Sequence, residues 1–261
     1  MNKLFYTITF AALTLMACNS SSDKGELDSV SENIELGDAG TFTFQSADSL
    51  PITADYYPNK DAKSIIVLLH QAKFSRGEYN QIAKVIVDSG FACLAVDLRS
   101  GGEVNGVKNE TAARAEELGK STEFMDARQD IVAAIDFVAK NSDKEIYLWG
   151  SSYSASLALM EAVNNRAVKK VVAFSPGEYL NTQNTVKEVV SSLIKPVFIT
   201  GGNAEFDMIV NPIVGVIPSK DMVVYKPSGI SDHGSKTLWL SGKETDEKVI
   251  AFLRKQSQLE D

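Results

Sequence analysis

Histidine and cysteine are scarce in this 261-residue chain, which contains two of each. The histidines are His70 and His233, so a mechanism that needs an imidazole base has only two candidates. The cysteines are Cys18 and Cys93, and no group of Cys, His and Asp residues has metal-ligand spacing. No glycine-rich phosphate-binding motif follows a predicted strand. The sequence therefore predicts neither a metal nor a cofactor.

Positive charge is also in short supply. The chain has 26 lysines and arginines against 34 acidic residues, a formal net charge of -8. No cluster of basic residues offsets this balance locally, and a basic face is what binding to nucleic acid requires. The charge balance therefore argues against a nucleic-acid partner. The hydrophobic content of 44% is that of an ordinary globular protein of one or at most two domains.

The N-terminus is typical of an exported protein. Lys3 precedes an apolar run, Leu4 to Leu15, which is much shorter than the ~20 residues of a membrane-spanning helix. Residues 1–17 are therefore predicted to be a signal peptide. The run ends in Leu-Met-Ala-Cys18, which resembles a bacterial lipobox, although conventional cleavage beside an incidental cysteine is the alternative. We expect Cys18 to carry palmitate-type acyl chains and to anchor the protein in the bacterial cell envelope, on a periplasmic or cell-surface face.

A polar segment separates this anchor from the folded part. Residues 18–39 are rich in Ser, Asp and Glu and have too little apolar surface to form a core, so they predict a flexible tether. The folded domain is predicted to span residues 40–261. With Cys18 lipidated, Cys93 has no disulfide partner, and its place in an apolar run predicts a small core residue.

Strand-like and helix-like segments alternate from Thr41 onward. Thr41 to Gln45 and Pro51 to Tyr57 predict an antiparallel hairpin at a sheet edge. Continuous apolar runs then predict buried strands, and the segments between them have helical periodicity. This alternation predicts an α/β fold with a mostly parallel sheet and helices on both faces. The predicted strands are 64–69, 91–96, 146–149, 170–174, 196–200 and 222–225, and the last predicted helix runs from about Asp246 to Lys255.

Two connections carry weaker signals. Ser75-Arg-Gly-Glu78 has the spacing of a capping box, in which the glutamate folds back onto the helix N-terminus. The helix it begins is predicted to stop at Gly90. A polar loop is expected from Asp97 to about Thr122. No connection is long enough for a large lid, so we expect an open site.

The stretch from Glu145 to Met160 indicates the chemistry. It reads as a short strand, a tight turn and a helix, and the turn Gly150-Ser-Ser152-Tyr-Ser154 nearly matches the G-x-S-x-G nucleophile elbow. Ser154 stands where glycine is expected, but its side chain is small. The chain here resembles α/β-hydrolases of the serine-esterase type, and it is similar to dienelactone hydrolase and to acyl-peptidase catalytic domains. The resemblance covers about Thr41 to Lys255.

The resemblance implies roles for particular residues. Ser152 matches the nucleophile and His233 the general base, because His233 follows the last strand. His70 matches the histidine that holds the oxyanion loop without transferring protons, although Gln71 replaces the usual glycine after it. The backbone N–H groups of Ala72 and Tyr153 match the oxyanion donors.

The acid of the triad is expected on the loop after strand 196–200. Glu205 has the expected spacing from Gly202, and Asp207 is the alternative. Glu178 is a more distant candidate, since some relatives place the acid after the preceding strand. Asp232 adjoins His233, but neighbouring side chains rarely point at each other. Each of these carboxylates is equally compatible with a solvated surface position.

Asp97 and Arg99 resemble the family's Asp-x-Arg-Gly turn, which implies a structural role in tying loops together through a charge-assisted bond. The predicted function is a carboxylesterase-like serine hydrolase of small carboxylic esters, with amides a less favoured substrate. One alternative is a non-catalytic hydrolase-fold envelope lipoprotein that binds a ligand or partner, which the departures at Ser154 and Gln71 suggest. Another is acyl or glycosyl transfer to an acceptor alcohol.

Overall fold

The predicted strands form one sheet. The computed structural model describes residues 36–180, 185–240 and 243–255. Its ten described strands are β1 (Gly40–Gln45), β2 (Pro51–Tyr57), β3 (Ser64–Leu69), β4 (Ala92–Val96), β5 (Glu103–Val104), β6 (Val107–Lys108), β7 (Glu145–Ser151), β8 (Val168–Phe174), β9 (Val197–Thr200) and β10 (Met222–Tyr225). Eight of them form the sheet, in the order β1-β2-β4-β3-β7-β8-β9-β10.

The sheet is parallel except at one edge. Strand β1 pairs antiparallel with β2, and β2 pairs antiparallel with β4, as the predicted edge hairpin requires. All pairs from β4 through β3, β7, β8 and β9 to β10 are parallel. The carboxyl ends of these parallel strands therefore meet along the same edge, where α/β sheets place their binding sites.

Helices cover both faces of the sheet. They are α1 (Ile82–Asp88), α2 (Glu110–Glu117), α3 (Ala127–Asn141), α4 (Tyr153–Asn164), α5 (Thr185–Val190), α6 (Asn211–Val214), α7 (Thr237–Leu240) and α8 (Lys243–Arg254). Helices α1 and α8 contribute to one apolar core, and α3, α4 and α5 contribute to the core on the opposite face. In β3, Ile65 and Ile66 belong to opposite cores, which explains why the strand is apolar throughout.

Four segments depart from expectation. The loop predicted up to Thr122 contains the β5–β6 hairpin and α2, and the loop after β9 contains a π-helical turn, Phe206–Val210, followed by α6. The final helix begins earlier than predicted, at Lys243, and α7 precedes it. Leu36, which the sequence assigns to the tether, is buried in the core, so the ordered domain begins before residue 40.

The predicted signal peptide, Cys18 and most of the tether lie outside the described residues. Within the described ranges, no helix has the length and apolar character needed to cross a membrane. Cys93 is fully buried in β4, as predicted, and burial raises the pKa of its thiol far above the usual range. It is therefore a packing residue.

Candidate active site

Ser152 lies at a sharp turn between the end of β7 and the start of α4. Its φ is 61° and its ψ is −126°, a backbone conformation that costs a residue other than glycine ~1–3 kcal/mol. The turn also needs Gly150, because a Cβ there would lie 2.4 Å from the Cα of Ala155. Both features are those of a nucleophile elbow, in which a strained turn presents the serine hydroxyl at the sheet edge.

Ser154 fits the position where the elbow motif has glycine. Its side chain is fully buried, and its hydroxyl accepts the N–H of Ser151 at 2.9 Å. The same oxygen lies 2.8 Å from the carbonyl oxygen of Leu69, to which it donates, at the end of β3. The departure from the motif therefore adds a bond between the elbow and the adjacent strand and leaves the turn intact.

Three side chains form a hydrogen-bonded series at the carboxyl edge of the sheet. Ser152 Oγ lies 2.7 Å from His233 Nε2, and His233 Nδ1 lies 2.6 Å from Glu205 Oε2. The partners assign the tautomer, in which Nδ1–H donates to the carboxylate and Nε2 accepts from the serine. Ser152 comes from the turn after β7, Glu205 from the loop after β9, and His233 from the loop after β10. This arrangement can move a proton from the serine to the imidazole.

The carboxylate of Glu205 is held by further donors. Its Oε1 accepts Ser175 Oγ–H at 2.5 Å and the N–H of Gly202 at 3.1 Å. Burial alone raises the pKa of Glu205, but the hydrogen bonds from His233 and Ser175 outweigh it, so the pKa lies below its usual value. Glu205 is therefore ionised when it faces His233.

The other candidate acids point elsewhere. Asp207 is exposed and pairs with Lys226 Nζ at 2.8 Å. Glu178 accepts the N–H groups of Val186 and Lys187, so it caps α5. Neither carboxylate contacts His233, so the structure contradicts both as partners of that histidine.

Asp232 is also turned away from the imidazole of His233. Its Oδ1 accepts the backbone N–H of His233 at 2.7 Å, and its Oδ2 lies 3.0 Å from Lys236 Nζ. The expectation that neighbouring side chains do not pair is confirmed here.

His70 fixes the loop after β3, which contains Ala72, one of the expected oxyanion donors. His70 is completely buried, its Nδ1 donates to the carbonyl of Gln71 at 2.8 Å, and its Nε2 accepts the N–H of Leu98 at 2.8 Å. Burial lowers the pKa of His70, which keeps the ring neutral. His70 therefore holds the loop and makes no contact with Ser152.

The backbone N–H groups of Ala72 and Tyr153 have no acceptor among the hydrogen bonds of the described residues. Tyr153 is the first residue of α4, where N–H groups are unsatisfied within the helix and favour negative charge. Ala72 is half-buried and follows the loop that His70 fixes. Both groups are thus available as hydrogen-bond donors.

Asp97 and Arg99 tie loops together through two separate sets of bonds. Asp97 accepts from the backbone and guanidinium of Arg76, at 2.8 and 2.6 Å, and Arg99 pairs with Asp130 at 2.7 Å and with Asp48 at 2.9 Å. Both residues are buried, and neither touches Ser152 or His233. Their predicted structural role is in keeping with these contacts.

Three residues at the site were not predicted to belong to it. Ser175 follows β8 with a φ of 54° and bonds to Glu205. Tyr179 packs edge-on against the His233 ring at 6.2 Å and donates to the carbonyl of Ser175 at 2.9 Å. Glu78 contacts the elbow through the hydroxyl of Ser151. Their only sequence signal was proximity to a strand end or, for Glu78, a helix-capping pattern.

Glu78 is not a capping-box residue, contrary to expectation. Ser75 does cap the short 3₁₀ helix Arg76–Tyr79, since its hydroxyl accepts the N–H of Gly77 at 3.1 Å. The carboxylate of Glu78 instead accepts the N–H of Gln71 at 2.8 Å and the hydroxyl of Ser151 at 2.7 Å. The side chain of Glu78 therefore points into the core, toward partners on other loops.

With this geometry in place, comparison with known proteins identifies the family. A sequence model described as "Serine aminopeptidase, S33" matches residues 60–210, more than half of the chain. The chain belongs to this family. The matched span contains Ser152 and Glu205, whereas His233 lies beyond it. No curated protein matches the chain significantly.

Several solved structures similar to this chain are α/β-hydrolases, which confirms the expected fold. The esterase Pf2001 of Pyrococcus furiosus has a TM-score of 0.65 and 16% identity, covering 83% of this chain and 92% of the esterase. A dienelactone hydrolase of Anabaena variabilis has a TM-score of 0.62 and 14% identity, covering 83% and 95%. Est1E of Butyrivibrio proteoclasticus has a TM-score of 0.59 and 15% identity, covering 83% and 100%.

Proposed function

We propose that the protein is a serine hydrolase that cleaves small carboxylic esters. The observation that carries the proposal is the series Ser152–His233–Glu205, with distances of 2.7 and 2.6 Å between its partners. A serine hydroxyl becomes a useful nucleophile only when a base takes its proton, and the imidazole works as that base only when its orientation is fixed.

The reaction has two halves. Ser152 Oγ bonds to the ester carbonyl carbon while its proton passes to His233 Nε2, and the developing oxyanion accepts the N–H groups of Ala72 and Tyr153. The C–O bond to the alcohol then breaks, and His233 returns its proton to the departing alkoxide. A water molecule, deprotonated by His233, then attacks the carbonyl carbon of the acyl-enzyme. The bond between this carbon and Ser152 Oγ breaks, His233 returns the proton to Ser152 Oγ, and the carboxylic acid leaves. Glu205 stabilises the imidazolium in both halves.

Esters suit the site better than N-terminal peptides do. An aminopeptidase needs an anionic group to bind the substrate's α-ammonium. Among the described residues around the site, the carboxylates are already engaged, Glu205 by His233, Asp232 by Lys236, and Glu178 by backbone N–H groups. The names of similar solved proteins, including the esterase Pf2001, favour the same choice.

The non-catalytic alternative loses the support that it drew from the sequence. It rested on the departures at Ser154 and Gln71, but the hydroxyl of Ser154 bonds within the elbow and the N–H of Gln71 bonds to Glu78. We also propose that Cys18 is lipidated and anchors the enzyme in the cell envelope, since the apolar run ends at this cysteine.

The test is active-site labelling followed by a substrate series. A fluorophosphonate probe should label the wild-type protein at Ser152 and leave Ser152→Ala unlabelled. Acetate esters should turn over faster than long-chain esters, without activation at a lipid interface and without an added acceptor alcohol. A folded wild-type protein that takes up no label would contradict the proposal, and turnover that requires an acceptor would favour group transfer.

A further inference from the structure

A single buried carboxylate connects the loops that carry the proposed nucleophile and the proposed oxyanion donor. Glu78 has no exposed surface. Its Oε2 accepts the N–H of Gln71 at 2.8 Å, and its Oε1 accepts the hydroxyl of Ser151 at 2.7 Å. Gln71 immediately precedes Ala72, and Ser151 immediately precedes Ser152. Each bond therefore fixes the backbone one residue before a group that acts in the proposed reaction.

The same network reaches the loop that carries the base. Ser151 Oγ accepts the N–H of Ser235 at 2.8 Å, two residues after His233. Gly234 makes this approach possible, since its φ is +69° and a Cβ there would lie 2.4 Å from Ser151 Oγ. The histidine loop thus packs directly on the hydroxyl that Glu78 holds.

These contacts favour the ionised form of Glu78, because a protonated carboxyl would have an O–H group with no acceptor among them. The Gln71 N–H can only donate, and the Ser151 hydroxyl donates to Glu78 while it accepts from Ser235. Both carboxylate oxygens must therefore act as acceptors. Burial opposes this form and raises the pKa of Glu78 to about 7. A buried charge held by directed bonds is an arrangement that favours a defined geometry over stability.

The charged and titratable groups around Glu78 come from three elements. The nearby positive charges are Lys236 and, when protonated, His233, and both favour the carboxylate. Tyr79 adjoins it in the chain, and Tyr153 approaches from α4. Burial raises the pKa of both phenols far above the usual range, so both stay neutral. Among these groups, Glu78 is the one whose pKa the surroundings bring close to neutral pH.

We infer that Glu78 is a positioning residue, whose carboxylate sets the oxyanion loop, the nucleophile elbow and the histidine loop at one fixed spacing. The inference rests on the proposed function and extends it. Glu78 touches neither substrate nor reacting atom; it acts through Gln71, Ser151 and Ser235. Small errors in such spacing are costly, because a displacement of ~1 Å can lower a rate by ~10²-fold.

The first variant is Glu78→Gln, which has the same shape and no charge. Its amide has one acceptor oxygen, so either the Gln71 N–H or the Ser151 hydroxyl loses its acceptor. We expect kcat to fall ~10- to 100-fold with KM nearly unchanged. The matched control is Glu161→Gln, which neutralises another buried glutamate, on α4, whose partner is Arg128 at 2.8 Å. The control should lower thermal stability and leave kcat unchanged.

The pH profile separates positioning from simple structural support. In the wild type, any activity requires a neutral His233 as the base, and full activity also depends on an ionised Glu78. The acid limb of log kcat/KM against pH should therefore be steeper than a slope of 1 over the range in which Glu78 gains its proton, and Glu78→Gln should reduce it to 1. A loss of stability alone would not change this slope.

Ser151→Ala tests the same connection if Glu78→Gln does not fold. It removes the hydroxyl between Glu78 and Ser235, and kcat should fall ~10-fold. The double variant should be about as slow as the slower single variant, because both changes break one shared bond. A folded Ser151→Ala protein with unchanged kcat would overturn the inference.

The outcomes distinguish this inference from the proposed function. If the wild type hydrolyses esters and Glu78→Gln keeps its kcat and the steep acid limb, only the role of Glu78 is contradicted. If Glu78→Gln behaves like Glu161→Gln, losing stability alone, the role of Glu78 is likewise contradicted. A wild-type protein without turnover or labelling would contradict the proposed function and, with it, this inference.

Discussion

Ser175 Oγ donates a hydrogen bond of 2.5 Å to Glu205 Oε1 and accepts the N–H of Gly234, the residue after His233, at 2.8 Å. One buried hydroxyl therefore joins the loop of the acid to the loop of the base. Ser175 holds this place with a φ of 54°, which costs ~1–3 kcal/mol in a residue other than glycine. Its backbone N–H is fixed by the carbonyl of Thr200 at 2.7 Å.

Ser175→Ala should lower kcat about tenfold, equivalent to ~1.4 kcal/mol, with little change in KM. The reason is that Glu205 loses one donor and the histidine loop loses one acceptor. Ser219→Ala is the matched control, because Ser219 is also buried and its hydroxyl donates to the carbonyl of Lys195, away from the site. Equal kcat values for the two variants would argue against this role of Ser175.

The identity of the acid can be tested with two amide substitutions. Glu205→Gln should lower kcat ~10²-fold, because the amide cannot stabilise the imidazolium as a carboxylate does. Asp207→Asn should leave kcat near the wild-type value, since Asp207 faces solvent and Lys226. Ester turnover of both variants, with folding checked by circular dichroism, makes the comparison. The opposite ranking would move the acid to Asp207.

Stability should depend on pH through Glu78. Its pKa rises from about 4.5 to about 7 on burial, so between these values the folded chain keeps a proton that the unfolded chain has lost. Raising the pH through this window therefore lowers the free energy of unfolding, by on the order of 3 kcal/mol for this group. The cause is the same burial that makes the charged form costly.

The measurement is urea unfolding of the wild type and of Glu78→Gln at pH 4 to 8. Asp130 and Asp246, whose pKa values burial raises to about 6, act in the same direction but are present in both proteins. The free energy of unfolding of the wild type minus that of Glu78→Gln therefore isolates Glu78, and this difference should fall as the pH rises from about 4.5 to about 7. A difference that stays constant across the range would contradict the assignment.

The envelope anchor is tested through Cys18. The full-length protein should partition with membranes, and Cys18→Ala should carry no acyl chains, since the sulfur is the proposed attachment point. Cys93→Ala is the matched control and should leave acylation unchanged, because Cys93 is buried in β4. Mass spectrometry of the mature N-terminus reads the result. Acyl chains on Cys18→Ala would contradict the proposal.

Apolar runs and chain order made much of the fold predictable. Strand β3 was predicted at its observed bounds, because a strand covered on both faces is apolar throughout. Helix α2 was missed because its buried face consists of Thr111, Ala112 and Ala115, which are too small or polar to mark an apolar stripe. Its signal was Asn109, whose side chain accepts the N–H of Ala112 at 2.7 Å and caps the helix.

The residues of the candidate site that follow strand ends could be predicted from the sequence. The contacts between its loops could not. Ser152, Glu205 and His233 each follow a strand of the parallel sheet, so the topology alone brings them to one edge. Glu78 was misread because its pattern with Ser75 is local, whereas its partner Ser151 lies 73 residues away. No local pattern encodes such a bond.

The central claim is that Ser152 and His233 act as one unit. Ser152→Ala and His233→Ala should each remove nearly all ester turnover, by ~10³-fold or more, since the serine is nearly inert without its base. His70→Ala is the matched histidine control and should leave Ser152 open to labelling, because His70 only holds a loop.

The most direct measurement is turnover of an acetate ester by the two single variants and the double variant, with each shown to be folded by circular dichroism. We expect the double variant to be little worse than either single variant, because the two residues contribute to the same step. Unchanged turnover by a folded Ser152→Ala protein would contradict it.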